Sequence, residues 1–286
     1  MGKTGAFVRL IRPVNCAMMG FAVVIGAVLT GLNDLNAVWL NLTLGFLTGF
    51  LLTAASMTVN DFYDREIDSI NEPMRPIPSD AVKPKQALAF AFLLTAVGFL
   101  AAYFTSFPSL SCFLTAIIAW LVSVTYTTIG KRSGLVGNFL VSTCVAIPFI
   151  YGSIAMTGSV KPNVVISAFI AFLSITGREI TKGIVDVQGD RSQNVKTLAV
   201  RYGEKAAAVT AVFFYLSAVA LSLVPWLIGL VSIWFIPPVV VTDSGLLACS
   251  LMLLRDYSRQ NARRVKNNVL LFLIFGLLAF VAGAYG

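Results

Sequence analysis

The amino-acid sequence predicts an all-helical integral membrane protein with nine transmembrane helices. Of its 286 residues, 57% are hydrophobic and only 12% are charged, about half the charged share of roughly 25% found in soluble domains. Mean hydropathy is +0.84. Nine stretches approach the length of about 20 apolar residues that a spanning helix needs. These observations exclude an ordinary soluble globular protein and a disordered chain.

The predicted spans follow one another along nearly the whole chain. The eighth is the least regular because it contains Pro237-Pro238 and Asp243. We expect this span to be broken, or to begin after the prolines, since a proline inside a helix removes a backbone hydrogen bond. The nine spans cover residues 14–32, 39–58, 87–104, 110–127, 136–156, 162–177, 206–223, 228–254 and 269–285.

The positively charged residues alternate from side to side as this arrangement requires. Three precede the first span, and four, two, six and five lie in the loops after the second, fourth, sixth and eighth spans. These 20 of the 21 Lys and Arg residues share one side, and Lys161 lies on the other. The positive-inside rule therefore predicts a cytoplasmic N-terminus and an external C-terminus.

Several classes of site are excluded or disfavoured by residue type. The chain has no histidine, so Ser-His-Asp and Cys-His nucleophile systems and histidine metal sites are excluded. The sequence carries neither phosphate-binding glycine motif, GxxxxGK[ST] or GxGxxG, and no nucleic-acid partner is expected. The four cysteines lie in apolar stretches without CxxC spacing, which favours packing over a disulfide or metal role; they are Cys16, Cys112, Cys144 and Cys249.

A dense group of polar residues, segment 60–68, directly continues the second span. If the helix continues, Asn60, Asp64 and Asp68 share one face at intervals of four residues, and Asp61 lies nearly in line with Asp68. Stacked carboxylates repel one another unless a cation is present. Oxygen ligands without cysteine or histidine favour Mg²⁺. The alternative is a solvated acidic helix end at the membrane surface.

A second acidic motif, Asp186 and Asp190, lies just past the sixth span. Its two carboxylates are again four residues apart, with Lys182 one turn earlier and Arg178 one turn before that. By itself this spacing is equally compatible with a solvated loop. It is more informative as the partner of the first motif, because each motif ends a span on the cytoplasmic side and the two are four spans apart.

This placement predicts a single domain, 1–286, built from two pseudo-repeat halves, 14–127 and 136–254, with a ninth helix at 269–285. The halves would bring both acidic motifs together over a central cavity. Metal ions held there suit a diphosphate, because they bridge carboxylates to phosphate oxygens. The candidate metal ligands are Asn60, Asp61, Asp64, Asp68, Asp186 and Asp190, and the candidate diphosphate-binding cations are Arg75, Lys131 and Lys182. Each cation has the alternative of a purely topogenic charge.

At these residues the sequence resembles the UbiA superfamily of intramembrane prenyltransferases. Asp80 departs from the family pattern, in which a glycine is expected after Ser79. The first family signature is matched by 60–68 together with Asn71-Glu72-Pro73-Met74-Arg75-Pro76-Ile77-Pro78, the second by 178–190, and the segment that follows by Lys196-Thr197-Leu198-Ala199-Val200-Arg201-Tyr202-Gly203.

The resemblance implies a multi-pass protein of the cell membrane, with nine helices around a cavity capped by two cytoplasmic loops. It also implies Mg²⁺ held by both acidic motifs and a prenyl diphosphate donor. Asp68 and Lys131 are the candidate catalytic residues, with Asp68 or the departing diphosphate accepting a proton. Arg201 or Lys196 would bind the phosphate of the acceptor.

Within the family, the Arg178-Glu179-Ile180 lead-in and the short Ile77-Pro78-Ser79 version of the first loop resemble the branch that adds the second ether-linked chain of archaeal membrane lipids. That branch implies transfer of a geranylgeranyl group from geranylgeranyl diphosphate to the free hydroxyl of geranylgeranylglyceryl phosphate. The acceptor would be a phosphorylated glyceryl ether lipid, drawn from the lipid bilayer.

Two other functions stay open. An aromatic prenyltransferase of quinone, haem or chlorophyll synthesis would share the donor site, but the six cations between the sixth and seventh spans favour a phosphorylated acceptor. A cation transporter would place acidic residues near mid-span, where only Asp243 could lie. Donor chain length and oligomeric state are not predicted.

Overall fold

The computed structural model describes residues 2–31, 35–192 and 194–284, and every regular element within them is helical. The all-helical prediction is therefore confirmed for this part of the chain. Two short 3-10 turns, Gly130–Arg132 and Ile233–Phe235, accompany the α-helices. The α-helices are α1 (Lys3–Ile11), α2 (Pro13–Val28), α3 (Leu35–Tyr63), α4 (Arg65–Asn71), α5 (Pro84–Thr105), α6 (Ser111–Thr128), α7 (Leu135–Thr157), α8 (Pro162–Val185), α9 (Val187–Ser192), α10 (Leu198–Ser222), α11 (Val224–Leu227), α12 (Ile236–Arg255) and α13 (Arg259–Ala284).

Among the described residues, eight helical segments are long and apolar enough to cross a membrane. Helices α1 and α2 meet this criterion only as a pair and would form a ninth span. The chain is thus an integral membrane protein by composition and fold, while the count of nine and the orientation of the termini stay predictions. Positions 32 and 285, which end the first and last predicted spans, lie outside the described residues.

A bend of 45° separates α1 from α2. Arg12 lies at the bend in the left-handed conformation, with φ 53° and ψ 69°. Pro13 follows at the first position of α2. Proline lacks an N–H donor and disfavours helical geometry in the preceding residue, so it starts a new helix here.

The eighth predicted span begins later than residue 228. Pro237 and Pro238 occupy the first turn of α12, where the first N–H groups have no partner within the helix and proline costs little. Gly229 adopts a positive φ of 70°, and the chain before the prolines forms only a turn and a short 3-10 segment. The helix therefore begins at Ile236, just before the prolines and not after them, and the start at residue 228 was wrong.

The chain forms two compact units. Unit 1 consists of Met1–Thr128 and Ile147–Val160, and unit 2 of Ile129–Ala146 and Lys161–Gly286. In unit 1, α3 packs against α1, α2, α5 and α6; in unit 2, α8 packs against α10 and α13, and α12 packs against the same two helices. The predicted pseudo-repeat halves stay a prediction.

Reciprocal glycines allow close packing in unit 1. A Cβ atom on Gly26 would overlap the backbone of Phe149, and one on Gly152 would overlap the carbonyl oxygen of Val23. Each helix thus presents a glycine to the backbone of the other, as small residues commonly do where membrane helices cross.

In unit 2, α8 is held along its length by buried contacts. Gly177 makes room for the ring of Tyr215, whose hydroxyl lies 2.9 Å from Thr181 Oγ1. Near the end of α8, Arg259 Nε donates to the carbonyl oxygen of Val185 at 2.9 Å. The C-terminal end of α8 and the beginning of α13 are therefore joined, and this contact lies beside the second acidic motif.

Candidate functional site

The first acidic motif lies where α3 ends and α4 begins. Asp64 falls between the two helices, but the backbone bonds continue through it. The Asp64 N–H donates to Asn60 O at 2.9 Å, and the Asp68 N–H donates to Asp64 O at 2.7 Å. The shared face expected from the spacing is formed, since Asn60 Nδ2 also donates to Asp64 Oδ2 at 2.8 Å.

Two arginines neutralise the buried carboxylates of this motif. Asp61 has only 3% of its side chain exposed and accepts hydrogen bonds from Arg12 and, at 3.4 Å, from Arg75. Arg75 also pairs with the buried Asp68. The result is a chain of four alternating charges, Arg12–Asp61–Arg75–Asp68, in which each carboxylate has at least one cationic partner.

The environment of Asp68 suits a proton acceptor. Burial raises the pKa of its carboxyl above the usual aspartate range, and the charge of Asp64 adds to this, while Arg75 opposes it. A carboxylate with a raised pKa accepts a proton more readily than an exposed one.

Hydrophobic packing brings the two arginines to the motif. Ala6 and Leu10 of α1 belong to one buried cluster with Ile77 and Val82, which follow Arg75 in the loop. In the sequence, Arg12 is one of the three cations that precede the first span, where the positive-inside rule already accounts for it. Its partner Asp61 is 49 residues away, so no local pattern could have revealed the pair.

The second acidic motif occupies the corresponding position at the end of α8 in unit 2. Asp186 ends that helix, and the Asp190 N–H donates to its carbonyl oxygen at 2.9 Å as α9 forms. Burial and repulsion from Asp186 raise the pKa of Asp190 to about 6, against the opposing effect of Lys131 and Lys182. The fold thus brings both predicted lysines within electrostatic range of the second motif.

Glu179 is a charged residue that was not among the predicted site residues. Its side chain is only 9% exposed. It accepts a hydrogen bond from Arg178 Nη1 at 2.9 Å and from Lys182 Nζ at 3.3 Å. The spacing of three residues between Glu179 and Lys182 was a usable signal, because residues that far apart are neighbours on a helix surface.

The donor types of the two motifs fit Mg²⁺, since every candidate ligand offers oxygen. Within residues 2–31, 35–192 and 194–284, however, no group of three or more Cys, Asp or Glu side chains converges so as to hold a metal ion. In unit 1 the arginines instead balance the charges of Asp61 and Asp68. The proposed ligand set therefore stays a prediction.

The chain is similar over nearly its whole length to curated proteins named digeranylgeranylglyceryl phosphate synthase. The protein of that name from Archaeoglobus fulgidus is 36% identical over 282 residues, which cover 96% of this chain and 94% of the relative. The one from Methanosarcina mazei is 36% identical over 288 residues, covering 97% of each chain.

The chain is also similar to solved structures over nearly its whole length. One described as digeranylgeranylglyceryl phosphate synthase in membranes matches with a TM-score of 0.77 and 30% identity, covering 99% of both chains. A UbiA homolog from Archaeoglobus fulgidus bound to GPP and Mg²⁺ matches in fold, with a TM-score of 0.65 and 18% identity over 96% of this chain and 99% of that one. The model of the UbiA prenyltransferase family matches residues 18–276. With its helical spans and its two acidic motifs at helix ends, the chain belongs to the UbiA prenyltransferase family.

Proposed function

We propose that this protein transfers a geranylgeranyl group from geranylgeranyl diphosphate to the free hydroxyl of geranylgeranylglyceryl phosphate. The product carries the second ether bond of archaeal membrane lipids. The observation that carries this proposal is the similarity, at 36% identity and over almost the full length, to proteins named for synthesis of that product. The surplus of cations around the second motif favours a phosphorylated acceptor over an aromatic one.

Both acidic motifs contribute to binding the donor diphosphate in this proposal. Asn60, Asp64 and the other candidate carboxylates would hold Mg²⁺, which supplies positive charge that stabilises the departing diphosphate. Arg75, Lys131 and Lys182 bind diphosphate oxygens directly. Arg75 suits this role because it is half-buried and already lies on two carboxylates, so its guanidinium is oriented before substrate arrives.

The transfer step breaks the allylic C–O bond of the donor, and the electron pair leaves with the diphosphate. The acceptor hydroxyl oxygen forms the new ether bond to that carbon and releases its proton. Asp68 or the departing diphosphate takes the proton, and Lys131 neutralises charge that develops on the leaving group. The buried position and raised pKa of Asp68 support this assignment.

A purified-protein assay tests the function. Geranylgeranyl diphosphate is offered with either geranylgeranylglyceryl phosphate or 4-hydroxybenzoate, and products are separated by mass. We expect a doubly geranylgeranylated glyceryl phosphate from the first acceptor and no product from the second. Asp64→Ala serves as the inactive control. Prenylation of 4-hydroxybenzoate alone would refute the proposal and indicate an aromatic prenyltransferase.

The proposal includes nine spans in the cell membrane, with α1 and α2 forming one span, the N-terminus in the cytoplasm and the C-terminus outside. The distribution of the cations supports this orientation. Single cysteines at positions 3, 131 and 260 should react with a permeant reagent only, and one at 286, which lies outside the described residues, should react from outside. Labelling of position 131 by an impermeant reagent would contradict the topology.

A further inference from the structure

One face of α8 carries a line of polar groups toward its C-terminal end. Ser174, Arg178 and Lys182 are spaced four residues apart and therefore share that face. Within the described part of the chain, Ser174 Oγ and Arg178 Nε are the two buried side-chain polar atoms without a hydrogen-bond partner. Buried donors are normally satisfied, so two neighbouring exceptions indicate a place where another molecule supplies the acceptors.

Helix α13 adds further cations to this face. Lys266 lies within electrostatic range of Arg178, Lys182 and Arg263, and also of Asp186. We call Arg178, Arg263 and Lys266 the α8–α13 cation cluster; Lys182, which binds the donor diphosphate in the proposed function, is not counted in it. Together with the carboxylate of Glu179, which pairs with Arg178, the cluster has a net charge of +2.

A purely topogenic role does not explain this arrangement. The positive-inside rule requires charge on one side of the membrane but no burial. Here Glu179 is 9% exposed and Arg178 20% exposed, and Lys266 is partly buried. Two of the three cations, Arg178 and Lys266, are partly buried, while Arg263 is exposed. The three cations outnumber the one carboxylate among them, so they repel one another, and a bound anion relieves that repulsion.

We propose that the α8–α13 cation cluster binds the phosphate monoester of the lipid acceptor, with Arg178 Nε and Ser174 Oγ donating to oxygens of its glycerol phosphate head. A phosphate monoester carries a charge of about −1.5 to −2 at neutral pH, which matches the net charge of the group. This inference rests on the proposed function and deepens it. It differs from the sequence-based expectation that Arg201 or Lys196 binds the acceptor phosphate; both of those side chains are exposed.

The test replaces one cation of the cluster and one cation beside it. Lys266→Gln removes a partly buried charge, while Arg264→Gln removes an exposed charge from the same helix two residues away. We expect Lys266→Gln to raise the KM for geranylgeranylglyceryl phosphate about tenfold or more, the loss of one charged contact, with little change in the KM for geranylgeranyl diphosphate. Lys266→Arg should recover most of the affinity, and Arg264→Gln should resemble the unmodified enzyme.

Three outcomes would overturn the inference. A rise in the KM for the donor instead of the acceptor would assign the cluster to the diphosphate. Equal effects of Lys266→Gln and Arg264→Gln would indicate a general surface charge. The third outcome is that phosphatidylglycerol in mixed micelles competes with an affinity equal to the acceptor's, and that Lys266→Gln abolishes this competition. This result would identify bulk lipid head groups as the source of the phosphate.

A binding measurement separates failure of this inference from failure of the proposed function. If the unmodified protein does not turn over geranylgeranylglyceryl phosphate at all, the proposed function is wrong. Binding of radiolabelled glycerol 1-phosphate to the purified protein then tests the site by itself. Weaker binding by Lys266→Gln than by the unmodified protein and Arg264→Gln supports a phosphate site, and equal binding by all three refutes it.

Discussion

Replacing Arg12 with glutamine should destabilise unit 1 by about 2 kcal/mol. Arg12 is one of two cations on Asp61, whose side chain is 3% exposed. Breaking a buried ion pair costs about 3–5 kcal/mol, because one charge is left without its partner. The expected loss is smaller here, since Arg12 is itself about one-third exposed and Arg75 still lies 3.4 Å from Asp61.

The measurement is a double-mutant cycle in detergent, with the free energy of unfolding determined from denaturant titrations. Arg9→Gln is the matched control, because Arg9 is an exposed cation one turn earlier. Asp61→Asn removes the buried charge, so Arg12→Gln should cost much less in that background. The reasoning fails if Arg12→Gln lies within about 0.5 kcal/mol of Arg9→Gln, or if the losses at Arg12 and Asp61 simply add.

Three further predictions concern the site and the packing of the helices. Asp64→Ala and Asp190→Ala should each abolish most turnover while the protein stays folded. The double variant should be little worse than either, as for residues that act as a unit. An Asp190→Asn enzyme with a near-normal rate and Mg²⁺ dependence would show that the second motif is only a solvated loop. Activity should disappear on chelation and return with Mg²⁺, so full turnover in excess EDTA would contradict the metal prediction. Gly152→Ala should lower thermal stability because its Cβ would overlap the Val23 carbonyl oxygen, whereas Gly276→Ala, whose nearest neighbour would lie at 3.4 Å, should be tolerated; equal melting temperatures for the two variants would refute this packing argument.

The spans and the acidic motifs could be predicted from the sequence because both depend on local properties. In a bilayer every backbone polar group must be satisfied internally, so an apolar stretch of sufficient length forms a helix whatever lies beside it. The proline pair in the eighth span likewise has a local effect, which is to begin a helix. For the same reason, Asn60 and Asp64 meet within one continuous turn of chain.

Only the tertiary structure decided which distant charges meet. Arg12 reaches Asp61 across 49 residues, and Lys266 of α13 comes into range of Arg178 on α8. A cation near a helix end has the same local sequence signature whether it serves topology, an ion pair or a ligand. Its role depends on burial and on partners that the packing of other helices supplies, because desolvation makes a charge costly unless an opposite charge lies beside it.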